Sequence, residues 1–272
     1  MRVSILTLFP EFFESPLACS ILGRAQTAGH LSVDTLNLRD FGDGKYRAVD
    51  DKPYGGGVGM VMMPQVLEHA LGNLLGGLER VDQLETDVRA FRNNPEREAG
   101  TLPHVVYLSP QGRTLSSATA RRLSKYQYLV LLCGHYEGID ERATSSLVHE
   151  EISIGDYVLT GGEPAGLVVI DAIARFIPGV VGEMASVESD TFEVNAPDMV
   201  PGGLKYPMFT RPAEWRGQSV PEVLLSGNHG EIAKWRRAAS EARTRDRRPD
   251  LIPAGAASLA APNPSNPSKA KK

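Results

Sequence analysis

The sequence has 272 residues and a formal net charge of −4, and its 42% hydrophobic and 23% charged residues are typical of a globular protein with one large or two modest domains. No apolar run reaches the 18 or more residues of a membrane span, and the apolar stretch before Pro10 is too short for a secretory signal, so we expect a cytoplasmic protein without a membrane partner. Cys19 and Cys133 are far apart and the histidines lack metal-binding spacing, which predicts two buried free cysteines and no structural metal.

In the first hundred residues, the spacing of apolar residues predicts strands and helices in alternation. The predicted elements are a buried strand at 2–9, a helix at 15–29 closed by Gly29, an alternating strand at 31–38, a polar loop with many glycines at 39–63 and a helix with an apolar stripe at 64–78. The stretch 79–100 is charged and poor in branched apolar residues. It predicts an exposed excursion that is partly helical or mobile.

A regular alternation follows from residue 104 to residue 177. It predicts strands at 104–109 and 128–133, helices at 115–126 and 139–150, short strands at 151–154 and 157–159, and a long apolar helix at 163–177. Strands that alternate with helices indicate the α/β class, with a mostly parallel sheet covered on both faces. In such sheets ligands bind beyond the carboxyl ends of the strands.

The composition changes after this alternation. The predicted organisation is a first domain at 1–182, an interdomain linker at 183–204, a small helical domain at 205–249 and a disordered tail at 250–272. The helical domain contains two predicted helices broken at Gly227, and Asn228 is the predicted N-cap of the second helix.

Charge is unevenly distributed along the chain. Residues 205–248 carry a local net charge of +5, and the remainder carries −9. A basic module on an acidic body indicates a polyanionic partner, although a solvated helix face explains the charge of this segment equally well.

Three loops that contain glycine follow the three late strands. They read SPQGR at 109–113, GHYEG at 134–138 and IGDYVLTGG at 154–162. Because glycine lets a backbone approach a ligand closely, the three loops together favour a pocket walled by backbone groups over ordinary turns. The GGGVG run lacks the context of a dinucleotide fingerprint, and no P-loop is present. We interpret the run DDKPYGGGVGM (50–60) as a flap over a substrate, with a flexible connector as the alternative.

Arg175 and Asp190 carry groups that suit catalysis. Arg175 ends an apolar helix, and Asp190 lies in the aperiodic linker. A guanidinium group can stabilise developing negative charge on oxygen, and a carboxylate can accept a proton. The residue pattern alone leaves two simpler explanations open. Arg175 is then a charge at the C-terminal end of a helix, and Asp190 is an acid that keeps the linker soluble.

Six motifs together resemble one known family. DDKPYGGGVGM, LSPQGR, CGHYEGIDER, SIGDYVLTGGE, RFIPGVVG and LLSGNHGEI stand in the order seen in bacterial tRNA (guanine-N1-)-methyltransferases, the TrmD family, and the resemblance covers about residues 1–248. The resemblance implies a parallel-sheet α/β domain of the SPOUT class with a deep trefoil knot, plus a small helical C-terminal domain. It also implies S-adenosyl-L-methionine (AdoMet) as the methyl donor and a homodimer in which one chain covers the pocket of the other.

The resemblance also assigns roles to residues. The family's cofactor-binding positions match Leu108, Pro110, Gly134, Tyr136, Glu137, Gly138, Ile154, Gly155, Asp156, Tyr157, Val158, Leu159, Gly161 and Gly162. Asp190 matches the general base, and Arg175 matches an essential arginine. The implied reaction is methylation of N1 of guanosine-37 in tRNA, 3′ of the anticodon, with no DNA partner. A requirement for Mg²⁺ is also implied without a defined ligand set, and Glu137 and Asp190 are candidate ligands.

Two alternatives come from other classes. One is a SPOUT methyltransferase that acts on rRNA, which the LLSGNHGEI module disfavours. The other is an RNA-binding protein without catalytic activity, which the presence of both Asp190 and Arg175 disfavours.

Overall fold

The structure is a computed structural model that describes residues 1–95 and 100–252. The chain divides into two compact units, with the boundary between Gly182 and Glu183. The predicted disordered tail lies outside the described residues from residue 253 onward, as do residues 96–99 of the predicted excursion. Within the described ranges, no helix has the length and apolar character needed to cross a bilayer.

A parallel sheet forms the centre of the first unit. The strands of this unit are β1 (Arg2–Thr7), β2 (Ser32–Asn37), β3 (Asp50–Asp51), β4 (Val61–Met62), β5 (His104–Thr114), β6 (Tyr128–Cys133) and β7 (Glu150–Ser153). Five of them lie side by side in the order β2-β1-β6-β5-β7, and every neighbouring pair is parallel. β3 and β4 form a separate antiparallel hairpin. The predicted α/β class with a mostly parallel sheet is confirmed.

Helices cover both faces of this sheet. They are α1 (Glu11–Ala18), α2 (Ser20–Thr27), α3 (Pro64–Leu75), α4 (Glu79–Asn93), α5 (Ser117–Leu123), α6 (Glu141–Leu147) and α7 (Glu163–Ala174), with a 3₁₀ turn at Leu38–Phe41. Because successive strand residues point to opposite faces, Leu129 and Leu131 belong to the apolar cluster that contains residues of α7, whereas Val130 and Leu132 belong to the cluster that contains residues of α3 and α4. Both clusters are buried, which accounts for the continuous apolar run of β6.

The predicted helix at 15–29 is two helices. Cys19 separates them in an extended conformation, with φ −95° and ψ 152°. Its side chain is exposed at this break, so the prediction of a buried Cys19 is wrong, whereas Cys133 is buried as expected. Both cysteines are free.

The prediction of an exposed excursion at 79–100 is wrong for its helical part. α4 buries Val81, Leu84, Val88 and Phe91. These residues are spaced three or four positions apart, so they form one apolar stripe of a helix that packs in the core. The charged residues between them obscured the stripe in the sequence. The predicted strand at 157–159 is also wrong, because those residues form part of the loop after β7 and are exposed.

β5 is longer than predicted and contains a bulge. Leu108 and Arg113 both pair with Ile152 of β7, so the four residues 109–112 form an extra loop between two paired segments. A Cβ atom at Gly112 would lie 2.4 Å from the carbonyl carbon of Glu151, so only glycine permits the chain to pass so close to β7 here.

The second unit is mainly helical. Its elements are α8 (Met184–Glu188), β8 (Glu214–Trp215), β9 (Gln218–Ser219), α9 (Glu222–Leu225), α10 (His229–Arg247) and a 3₁₀ turn at Pro249–Leu251. The two predicted helices lie on either side of Gly227, and the Asn228 side chain caps α10 by accepting a hydrogen bond from the amide of Glu231. The predicted linker contains α8.

Candidate functional site

A pocket of about 300 Å³ lies at the carboxyl ends of β5, β6 and β7. Its lining comes from the loop inside β5, the loop after β6 and the loop after β7, together with the first residues of α7. The three loops that contain glycine in the sequence therefore meet at one edge of the sheet. The volume is at the lower end of the range for small-molecule sites.

The pocket brings together thirteen of the fourteen predicted cofactor positions. They are Leu108, Pro110, Gly134, Tyr136, Glu137, Gly138, Ile154, Gly155, Tyr157, Val158, Leu159, Gly161 and Gly162. Asp156 is exposed in the loop after β7 and is not among the lining residues of the described chain. The role of these residues in binding stays a prediction.

Two glycines allow the loops to touch. A Cβ atom at Gly162 would lie 2.7 Å from the Cα atom of Cys133, and the Gly162 amide donates a hydrogen bond of 3.0 Å to the carbonyl of Gly134. A Cβ atom at Gly134 would lie 2.7 Å from the ring of Tyr107, which also lines the pocket. Glycine at these positions therefore sets the shape of the pocket wall.

The predicted flap is joined to the loop after β6. The Glu137 amide donates to the carbonyl of Met60 (2.9 Å), and the Met62 amide donates to the carbonyl of Gly138 (2.9 Å). The tip of this hairpin is open to solvent, since Tyr54 is 99% exposed. Closure of the flap over a substrate stays a prediction.

The phenol groups of the pocket favour their neutral form. Burial raises the pKa of Tyr107 to about 12. Burial, followed by a hydrogen bond with Asp50, raises the pKa of Tyr136. Near neutral pH both phenols act as hydrogen-bonding groups rather than as bases.

A buried network behind the pocket was missed in the sequence. Nε2 of His135 lies 2.9 and 2.8 Å from the two carboxylate oxygens of Glu163, and the Thr7 hydroxyl donates a hydrogen bond of 2.6 Å to Oε1 of Glu163. Glu163 is only 3% exposed. The three residues come from the end of β1, the loop after β6 and the start of α7. No spacing rule relates positions this far apart, so only the fold could reveal the network.

The remaining ionisable groups of the pocket are mostly acidic. Glu137, Glu141 and Glu151 line it together with His135. Within the described ranges, no group of three or more histidine, cysteine or acidic side chains is arranged to hold a metal ion. The structure therefore assigns no ligands to Mg²⁺.

The two predicted catalytic residues belong to different units. Arg175 is the C-cap of α7 in the first unit and is exposed. Asp190 lies in the second unit, where its Oδ1 accepts a hydrogen bond from the Thr191 amide (2.9 Å) and lies 3.9 Å from Nζ of Lys205. Their catalytic roles stay predictions.

The second unit combines basic and aromatic side chains. The guanidinium of Arg236 lies 4.9 Å above the ring of Tyr206 and 3.5 Å from the carboxylate of Asp198. Met208 and Phe209 are exposed beside it and line a groove of about 350 Å³. Such a surface is compatible with a polyanionic partner.

Comparison with known proteins identifies the family. The family model described as tRNA (Guanine-1)-methyltransferase TrmD matches residues 1–254. The chain is 49% identical over 252 residues to the tRNA (guanine-N(1)-)-methyltransferase of Desulforamulus reducens, which covers 93% of this chain and 89% of that protein. It is also 49% identical over 254 residues to the protein of the same name from Gloeobacter violaceus, and this match covers 93% of this chain and 99% of that protein. It is 47% identical over 256 residues to the protein of the same name from Magnetococcus marinus, and this match covers 93% of this chain and 89% of that protein. The chain belongs to the tRNA (guanine-1)-methyltransferase TrmD family.

Proposed function

We propose that this protein transfers a methyl group from AdoMet to N1 of guanosine-37 in tRNA, 3′ of the anticodon. The family match over residues 1–254 carries this proposal, and relatives that are almost half identical bear the name of this activity. Neither rRNA methylation nor RNA binding without catalysis is favoured by these comparisons.

The pocket is compatible with AdoMet as the methyl donor. It is concave, about 300 Å³ in volume and partly walled by glycines whose substitution would crowd Tyr107 or the end of β6. Three lining carboxylates suit a ligand that carries positive charge on a sulfonium and an amino group. Bound AdoMet supplies an activated methyl group, and backbone groups of the three loops would hold it.

Asp190 and Arg175 would perform the proton and charge chemistry. Guanine N1 carries a proton at neutral pH and is a poor nucleophile until that proton leaves. In this proposal the carboxylate of Asp190 accepts the proton, and the guanidinium of Arg175 stabilises the negative charge that develops on O6. The target guanine must leave its stack in the anticodon loop to reach the pocket.

The proposal includes the assembly and the location. The family resemblance supports a homodimer in which the second unit of one chain, with its Asp190, faces the pocket of the other. A tRNA substrate supports a cytoplasmic location. Mg²⁺ is included as a required ion, with Glu137 and Asp190 as candidate ligands.

The direct test is to map where a radiolabelled methyl group from AdoMet is placed on bulk tRNA. Label at N1 of guanosine-37 is expected, and label elsewhere would contradict the proposed function. Asp190→Asn keeps the size of the side chain but removes the proton acceptor. We expect it to bind AdoMet and tRNA nearly as the wild type does, with turnover lower by roughly 10²- to 10⁴-fold.

The composite site is tested by mixing two inactive variants, Asp190→Asn and Arg175→Lys. Lysine keeps the charge of Arg175 but lacks its planar fork. If a site uses Arg175 of one chain and Asp190 of the other, one of the two sites in a mixed dimer carries neither substitution, and activity should return. Absence of activity in a mixed dimer verified by mass spectrometry would mean that each site is built from a single chain.

A further inference from the structure

The second unit carries an open groove of about 350 Å³, which is separate from the pocket at the edge of the sheet. The segment 206–213 lines it together with residues of α9 and α10, and we call it the aromatic groove. Its aromatic rings are those of Tyr206, Phe209 and Trp235. Phe209 is 47% exposed, and clustered apolar side chains that face solvent mark interaction sites.

The wall of the aromatic groove is fastened near both ends of the segment 206–213. At one end, Arg243 of α10 donates a hydrogen bond of 3.2 Å to the carbonyl of Lys205. At the other end, the Val220 amide donates a hydrogen bond of 2.8 Å to the carbonyl of Ala213. Because the protein itself holds this wall, a ligand has less of the chain to order when it binds.

The aromatic rings leave their faces accessible to a third ring. The ring centroids of Phe209 and Trp235 are 6.2 Å apart, and the ring planes are inclined by 57°. Rings at this angle do not cover each other's faces, so a flat heterocycle can stack on Phe209. Stacking on an aromatic side chain is the contact by which proteins hold unpaired nucleobases.

The charges of the aromatic groove favour an anionic partner. Arg211 and Arg236 are the only charged residues among the described lining residues, and residues 205–248 carry a net charge of +5. Arg236 is already paired with Asp198. Arg211 is exposed, and its guanidinium forms no hydrogen bond or ion pair with another described residue. An aromatic face beside a cation complements a nucleobase and its phosphate.

We propose that the aromatic groove binds an unpaired base of the anticodon loop other than the target guanine, with Phe209 against the base and Arg211 on a neighbouring phosphate. The proposal rests on the proposed function for the identity of the RNA as tRNA. The anticodon loop is the unpaired region that the proposed reaction brings to the protein. The second unit would then distinguish an open loop from a paired stem, which attraction to phosphates alone does not achieve.

An RNA stem-loop and an RNA duplex of the same length provide the test. The stem-loop carries the anticodon loop with its unpaired bases, whereas the duplex presents phosphates without unpaired bases. We expect Phe209→Ala in the full chain to weaken stem-loop binding by about 5- to 150-fold, the range for losing one stacked base. Duplex binding should not change. Because phenylalanine is uncharged, the slope of log affinity against log salt should keep its wild-type value.

Two further variants separate stacking from charge and from general exposure. Arg211→Gln should lower the salt slope for the stem-loop by about one. Trp215→Ala is the matched control, because Trp215 is 60% exposed in the same unit but is not among the described lining residues of the groove. Trp215→Ala should leave both affinities unchanged.

Three results would overturn the proposal. One is equal weakening of stem-loop binding by Phe209→Ala and Trp215→Ala. Another is equal weakening of stem-loop and duplex binding by Phe209→Ala. The third is a change in the oligomeric state of Phe209→Ala at unchanged RNA affinity, which would assign the groove to a contact between protein chains.

Tryptophan fluorescence covers the case in which Phe209→Ala does not fold. The chain contains two tryptophans, so Trp215→Phe leaves Trp235 as the only one. Its emission should be quenched by the stem-loop and not by the duplex. Binding of the stem-loop without quenching would overturn the proposal. A wild-type protein that binds no tRNA would instead contradict the proposed function itself.

Discussion

In the first unit, histidines lie beside acidic side chains at both ends of the sheet. At the end opposite the pocket, Nδ1 of His149 accepts a hydrogen bond from the Val105 amide (3.0 Å), and its Nε2 lies 3.1 Å from the carboxylate of Asp87. The ring is therefore neutral. Burial, and then the proximity of His104, lower the pKa of His149 to about 4.

The pKa of a neighbouring acid, Glu150, is also lowered. Burial alone would raise the pKa of Glu150, but hydrogen bonds with His104 and Arg122 outweigh it and lower that pKa to about 2. Arg122 contacts both carboxylate oxygens, at 2.9 and 2.6 Å. The two shifts make the folded protein sensitive to acid in two successive ranges of pH.

We expect stability to fall in acid, first through His149. Its pKa is about 4 when folded and 6.5 when unfolded, so the unfolded chain binds the proton first and stability decreases from about pH 6.5 to about pH 4. This difference corresponds to roughly 3 kcal/mol of unfolding free energy. The stabilisation from Glu150 is present above its unfolded pKa of 4.5 and is lost as the pH falls towards 2.

Denaturant unfolding at a series of pH values measures this dependence. His149→Gln removes the titrating ring and should flatten the decline between pH 6.5 and 4. His69→Gln, at an exposed position of α3, is the matched control and should leave the decline unchanged. An equal slope in the wild type and in both variants would show that His149 is not the source of the decline in stability.

At the scale of the element, α10 has two different faces. Its buried residues are Ser240 and Thr244, and their hydroxyls bind the chain at 200–205 rather than an apolar core. The Leu204 amide donates to the hydroxyl of Thr244 (2.9 Å), and the hydroxyl of Ser240 donates to the carbonyl of Leu204 (2.6 Å). These hydrogen bonds join α10 to the segment at 200–205, and they leave the opposite face of the helix open.

Some arginines of α10 also belong to this internal contact. Arg243 donates to the carbonyl of Lys205 (3.2 Å), and Arg236 is paired with Asp198, so substituting either would disturb the unit itself. Lys234 is a better probe of a tRNA surface, because its side chain is 76% exposed and pairs only with Glu231 of the same helix among the contacts of the described chain.

We expect Lys234→Gln to weaken tRNA binding and to lower the slope of log affinity against log salt by about one, because one fewer counterion is released. AdoMet binding should not change. Lys125→Gln, an exposed lysine of the first unit, is the matched control and should keep the wild-type slope. An unchanged slope for Lys234→Gln would identify this face as ordinary solvated surface.

At the scale of the whole molecule, the sequence predicted what depends on local pattern. The order of strands and helices, the parallel sheet and the three glycine loops at one edge follow from apolar runs and turn residues. The packing of α4 was missed because its four core residues are separated by charges. The trefoil knot implied by the resemblance stays a prediction.

The sequence predicted only those residues of the site that belong to recognisable motifs. Thirteen pocket positions came from the resemblance of short segments. The pairing of His135 with Glu163 and Thr7 joins three distant parts of the chain, and the second pairing of β5 with β7 depends on a strand some forty residues later. Contacts of this kind are set by the fold rather than by local spacing.

The double pairing of β5 with β7 has a consequence for the order of folding. The loop at 109–112 is fixed at both ends by Ile152, so this wall of the pocket cannot exist before β7 has joined the sheet. Closing a chain segment of this length comes late compared with helix formation. In refolding experiments we expect recovery of AdoMet binding to lag behind recovery of the helical circular-dichroism signal, and simultaneous recovery would contradict this order. The ability to bind the methyl donor would then report that the sheet is complete.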